Sequence, residues 1–138
     1  MAVEKETIHS LIHGVINKGE KFDAGCEINE IDHYISVCNS INPDKYVCVV
    51  KQWQWWDLDV GQKLAEIFSS VGQSPCVIKA DYVIYDQVGR FNEGDWVRTS
   101  LLLRFHENCI FETPNTFYLL VSEGTRKNID AGLAGAMF

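Results

Sequence analysis

The stretch Tyr46–Val60 constrains what this chain can fold into more than any other part of it. It opens with Tyr-Val-Cys-Val-Val, a β-branched and almost wholly apolar run of the kind that forms a strand buried on both faces. The run passes directly into Lys-Gln-Trp-Gln-Trp-Trp-Asp-Leu-Asp, which sets three of the protein's four tryptophans, Trp53, Trp55 and Trp56, within four residues. An indole is a large apolar body with one polar handle, so a cluster of three either fills a core or marks a contact surface. Along an extended chain Trp53 and Trp55 share one face, and Gln52, Gln54 and Trp56 take the other. The cluster cannot all point one way. At least one indole has to leave the main core or be covered by another element.

Helical patterns flank this strand. From Glu4 to Lys18, Ile8, Leu11, Ile12, Val15 and Ile16 recur at the spacing of an amphipathic helix, with Gly19 as its stop. A second helix follows Asn29 as N-cap, with Ile31, Tyr34, Ile35, Cys38 and Ile41 on one face, and Asn42-Pro43-Asp44 ends it. Asp57 or Asp59 is expected to cap a third, whose buried stripe is Val60, Leu64, Ile67, Phe68 and Val71. The second half reads as strands over Cys76–Asp86, Trp96–Phe105, Cys109–Thr113 and Thr116–Val121, separated by turns at 87–95, 106–108 and 114–115. Helices towards one end of the sequence and hairpins towards the other predict an α+β fold. The expected architecture is about three N-terminal and central helices packed on a twisted, mainly antiparallel sheet of about five strands. With 138 residues and 46% hydrophobic composition the chain has core for one domain. That domain is expected over 1–124, followed by a Gly/Ala-rich tail, 125–138, either mobile or docked through Leu133, Met137 and Phe138.

No catalytic motif stands out. Five cysteines, an odd number without a C-x-x-C pair, read as reduced thiols, and most sit in apolar runs where they act as small hydrophobes. His9 and His13 are one helical turn apart without further ligands, so no metal site is expected. His106 with Cys109 is the closest His/Cys pairing, but it brackets a turn in which the thiol packs inward and the imidazole meets water. Asp57 with Asp59 reads as helix capping, and Glu93 with Asp95 as turn chemistry. Gly89 and Gly94 bracket Arg90 without a helix start behind them, so they make no phosphate cradle. The sequence implies no cofactor and assigns no catalytic residue.

What remains is a surface. The polar side of the Trp96 strand presents Trp96, Arg98, Ser100 and Arg104, with Arg90 expected close by across the hairpin, and Trp with Arg is the pairing enriched at binding hot spots. The candidate binding residues are therefore Trp53, Trp55, Trp56, Arg90, Trp96, Arg98 and Arg104. A net charge of −7 disfavours nonspecific binding to nucleic acid and suits a protein partner with a basic surface; a homodimer through an exposed edge is a further option. The N-terminus lacks the basic and apolar regions of a signal peptide, and no run reaches membrane-spanning length, so a soluble, cytoplasmic protein is expected.

At KQWQWWDLDVGQ, GRFNEGDWVRTS and ETPNTFYLLVSEGTRK, between Lys51 and Lys127, the chain resembles a family of small bacterial and prophage-encoded proteins of unknown activity. The resemblance implies a bacterial or phage-linked origin and carries over no catalytic residue. The leading expectation is a non-enzymatic acidic protein-binding module, of the immunity or anti-defence inhibitor type. One alternative is a small-molecule-binding protein or enzyme, with a pocket between helices and sheet lined by Trp53, Trp55, Tyr82 and Phe117 and carrying Asp57 or Asp59. Another is a single-strand nucleic-acid binder.

Overall fold

A computed structural model describes residues 19–132. The strands are β1 (Glu20–Phe22), β2 (Tyr46–Asp59), β3 (Cys76–Asp86), β4 (Val97–Arg98), β5 (Arg104–His106), β6 (Ile110–Glu112), β7 (Thr116–Leu120) and β8 (Gly124–Asp130). Two short helices join them, α1 (Ile31–Ile41) and α2 (Gln62–Ser70), with a 3₁₀ turn at Ile28–Glu30 ahead of α1. The described chain is mostly β, an eight-stranded mixed sheet curled on itself, and this corrects the expected α+β plan of about three helices on about five antiparallel strands. The helix expected over Glu4–Lys18 lies outside the described residues, as do Leu133, Met137 and Phe138.

The organising strand is longer than its apolar run suggests, because pairing on both sides carries β2 through the tryptophans to Asp59. On one side it is antiparallel to β3 from Cys48 opposite Asp86 to Asp57 opposite Cys76. On the other it has two successive parallel partners, β7 along Tyr46–Val50 and β8 along Gln54–Asp59. Beyond them lie β6 and β5 on one branch and β1 on the other, so the sheet forks alongside β2.

The fork coincides with a crease. Cys48 and Val50 point to the same face as Trp53 and Trp55, which we call the inner face. The step from Val50 to Trp53 is odd, so the two-residue alternation of the pleat is reset between them. Gln52, at φ 55, absorbs that reset. On β3 the same cluster takes Ala80 and then Val83, and on the third strand the chain passes from β7 to β8 through Ser122 at φ 63. Trp53 fills the crease: its Nε1 donates to the Ser122 carbonyl at 3.3 Å, and its ring lies so close over Gly124 that a Cβ there would stand 2.2 Å from an indole carbon. Only glycine fits beneath that ring.

The one continuous strand expected over Trp96–Phe105 is broken into β4 and β5. At the break the Thr99 hydroxyl takes a place in the ladder: its Oγ1 accepts from the Ile78 amide at 2.9 Å and donates to the Ser100 carbonyl at 2.8 Å. Beyond it the chain leaves β3 for β6. The Leu102 amide donates to Cys76, and the next amide, Leu103, donates to Glu112, so this segment ties the two sides of the curled sheet together.

The outer face is covered in its first half by α1, whose Cys38 is fully buried and whose Ile31, Tyr34, Ile35 and Val37 pack on Val47, Val49, Phe117 and Leu119. α1 ends at Ile41, where Pro43 stops it as expected. The expected third helix is shorter than its pattern, starting at Gln62 behind Gly61, and neither aspartate is its N-cap. Asp57 is still in the strand, and Asp59 accepts from the Gly61 amide at 3.3 Å. Residues 125–130, read from the sequence as the start of a tail, form most of β8.

Candidate functional site

The tryptophan strand is core. Trp53 is 1% exposed, Trp55 4% and Trp56 1%, so none of the three is available to a partner. As the alternation required, Trp53 and Trp55 share the inner face, and Trp56 is on the outer one with Val77 and Ile129. Trp55 is boxed edge-on by Phe22, Phe105 and Phe111, with ring centroids 4.9–5.4 Å apart. The Arg126 guanidinium lies 4.8 Å above it and grips Asp57 with two bonds, Nε to Oδ2 at 2.7 Å and Nη2 to Oδ1 at 2.9 Å. Trp55 Nε1 donates to the same carboxylate at 3.2 Å. Asp57 thus closes a stack over a tryptophan, accepting three hydrogen bonds there.

Arg90 is also structural. Asp86, with a fully buried side chain, accepts from the backbone amides of Arg90 and Phe91 and from Arg90 Nε and Nη2, while Arg90 Nη1 donates to Thr116 Oγ1 at 2.9 Å. The sequence could not separate this arginine from its neighbours, because its partner is a carboxylate at the far end of the turn. Arg104 is on β5, bonded to β6, whereas Arg98 is on β4, bonded to β3. Of the expected group, Arg90 is held by Asp86 and Arg104 lies on another strand, which leaves Trp96, 53% exposed, with the exposed Arg98 and Ser100. With Phe91, Asp95 and Val97, Trp96 and Arg98 line an open depression of about 460 Å³.

A polar centre the sequence did not reveal lies on the outer face at Glu112. Its Oε2 accepts from Lys45 Nζ at 2.6 Å and its Oε1 is bonded to His106 Nε2 at 2.8 Å; Lys45 also donates to the Thr113 carbonyl at 2.9 Å. Burial, the largest single influence on this carboxyl, favours its neutral form. The bonds and charges of Lys45 and His106 outweigh burial, and the net result holds Glu112 below the usual carboxylate range. A carboxylate so clamped is a poor general acid. The neighbouring hydroxyls are engaged elsewhere: Thr113 Oγ1 is bonded to the Thr116 carbonyl, and Thr116 Oγ1 to Arg90.

The cysteines are reduced and buried. Burial pushes the Cys38, Cys48 and Cys76 thiols up to about 12, which makes them inert as nucleophiles at neutral pH. Cys26 is lowered, first by a hydrogen bond with Cys109, whose own thiol is raised by the same contact. No group of three His, Cys, Asp or Glu side chains among the described residues is placed to hold a metal ion. The residues of the expected ligand pocket do not share a cavity: Trp53 and Trp55 face inward, and Phe117 is in the outer cluster. No helix among the described residues is long and apolar enough to cross a membrane.

The surface missed by the sequence reading is α2. None of its nine residues is buried. Leu64 is 41% exposed, Ile67 51% and Val71, just past its end, 65%, and only Ala65 and Phe68 are half-buried. The apolar stripe was legible at helical spacing, but its direction was not. Leu64, Ile67 and Val71 stand in water, while Val60 and Phe68 of the same stripe are half-buried.

Residues 23–134 match a family model described as a domain of unknown function, DUF6957. The chain belongs to this family. No curated protein matches it, and no solved structure does. The DUF6957 match takes in both helices and β2 to β8, leaving out β1, so the forked sheet, the Trp53–Gly124 joint and the exposed α2 all fall within the family's domain.

Proposed function

We propose that this DUF6957 chain is a non-enzymatic protein-binding module and that the exposed stripe of α2 is its main contact surface. The observation that carries the reading is the exposure of Leu64, Ile67 and Val71 on one side of a helix that buries none of its residues. Aliphatic side chains in water at i, i+3 and i+7 are what a helix presents to an apolar groove on another protein. Trp96 and Arg98 supply a second point of contact, an aromatic anchor beside a cation. The net charge of −7 favours a target with a basic rim, as expected of an immunity or anti-defence type inhibitor.

The test uses the full chain as bait in extracts of its native host, alongside Ile67→Lys and the Trp96→Ala/Arg98→Ala pair. A protein held by the parent chain, lost with Ile67→Lys and weakened by salt supports the reading. An identical captured set for all three baits overturns it. Sedimentation of the bait alone shows whether the stripe's partner is a second copy, since Ile67→Lys would then dissociate a dimer.

A further inference from the structure

Two of the buried thiols are neighbours, although they come from opposite ends of the domain. Cys26 lies on the connection from β1 to α1, and Cys109 stands at the turn ahead of β6. Both bond to the same residue of β7: the Cys26 amide donates to the Leu120 carbonyl at 2.9 Å, and the Leu120 amide donates to the Cys109 carbonyl at 2.8 Å. The residues before them are joined as well, the Gly25 amide donating to the Asn108 carbonyl at 2.9 Å. Their side chains enter one hydrophobic cluster with α1, and there the two thiols are hydrogen-bonded to each other. We propose that Cys26 and Cys109 form a redox-sensitive clamp, which hydrogen peroxide closes to an intrachain disulfide and a dithiol reductant reopens.

The close approach is built into the backbone. Glu107 and Asn108, at φ 54 and 56, make a tight left-handed turn. Asn108 Nδ2 donates to the Asp23 carbonyl at 3.1 Å, so this turn holds the connection at both Asp23 and Gly25. From the other side the Ser122 amide donates to the Cys26 carbonyl at 2.8 Å. A Cβ at residue 25 would stand 2.3 Å from the Ser122 carbonyl, so only glycine lets Cys26 lie this near. Cys26 is bridged to Val121 and Cys109 lies against Leu120, consecutive positions on one strand. Residues seated beside such a pair have the spacing a disulfide takes, about 4.4–6.8 Å between Cα atoms.

The chemistry balances with peroxide as the oxidant. Cys26, 5% exposed against 1% for Cys109, is the sulfur that the oxidant meets, and the hydrogen bond from Cys109 favours its thiolate. That sulfur attacks one peroxide oxygen, the O–O bond breaks, and hydroxide leaves to take up the proton shed by Cys26 as water. The Cys109 sulfur then attacks the sulfenic acid: the S–S bond forms, the S–O bond breaks, and the hydroxyl departs with the Cys109 proton as a second water. The sulfur pair is oxidised by two electrons, and one peroxide is reduced. Cys38 is in the same cluster but fully buried, with its thiol pushed up to about 12, so it stays outside the exchange.

The test uses the full chain, reduced, treated with hydrogen peroxide without denaturant, blocked by an alkylating reagent in denaturant and mapped by mass spectrometry. The expected product is a single chain lighter by two hydrogens, with the Cys26 and Cys109 peptides joined and Cys38, Cys48 and Cys76 alkylated. Dithiothreitol should restore the parent mass, and Cys109→Ala should lose the product; if that variant does not fold, the map of the unmodified protein decides. The oxidised protein should also reach its urea midpoint at a higher concentration than the reduced one, because the bridge closes a long loop. Five alkylated cysteines after peroxide, a bridge between any other two, or disulfides only between chains would each overturn the proposal. So would a midpoint that does not rise on oxidation.

Discussion

Glu112 shows how much a single side chain can hold. It joins the loop after α1, through Lys45, to the β5 hairpin, through His106, at distances of 2.6 and 2.8 Å. Its carboxyl is lowered in the folded protein relative to its ordinary value of 4.5. The linkage has one sign: this contribution to stability is complete above that ordinary value and is lost as pH falls through the lower folded value. Urea midpoints measured from about pH 6 down to about pH 3 should fall for the parent chain, and Glu112→Gln should flatten part of that slope while lowering stability at neutral pH. An acid limb of equal steepness in both proteins would show that the pair contributes nothing measurable. None of this was visible in the sequence. Lys45 and Glu112 are 67 residues apart, and neither belongs to a motif.

At the scale of elements, α2 and β8 are the two segments where local pattern and fold part company. The stripe of α2 has the spacing of a core helix, yet Leu64, Ile67 and Val71 are left exposed, so these three contribute little to folding. Ile67→Lys should therefore change the unfolding free energy by less than about 0.5 kcal/mol, against about 2–5 kcal/mol for truncating an aliphatic side chain packed in a core. A denaturant titration decides; a loss in the larger range would mean the helix packs more tightly than its exposure indicates. β8 is the converse. Thr-Arg-Lys-Asn-Ile-Asp reads as a polar tail because every second position faces solvent or a charge partner, and only Ile129 and Gly124 are buried. Its strand character comes from β2 on one side and β1 on the other. A parallel partner that far along the chain leaves no local trace in a period-two pattern.

At the scale of the whole molecule, the fold wraps its thiols as completely as the three indoles of β2. Cys26, Cys38, Cys48, Cys76 and Cys109 are spread over the α1 approach, α1, β2, β3 and the β6 hairpin, and every one is buried. A thiol reagent at about pH 8 should leave the five essentially unmodified in the native protein and modify all of them in denaturant, at a rate that follows unfolding. Fast labelling of Cys38 or Cys48 without denaturant would contradict the packing described. By itself the sequence determined where the central strand and β3 lie, where Pro43 stops α1, and that Trp56 must part from Trp53 and Trp55, because these follow from composition and alternation along a few consecutive residues. The tertiary structure alone decided that β2 has two parallel partners in succession, that Arg90 is clamped on Asp86, and that α2 leaves Leu64 and Ile67 exposed. Each depends on which distant segment arrives alongside, and a local period records the spacing of apolar residues without naming the surface they will meet.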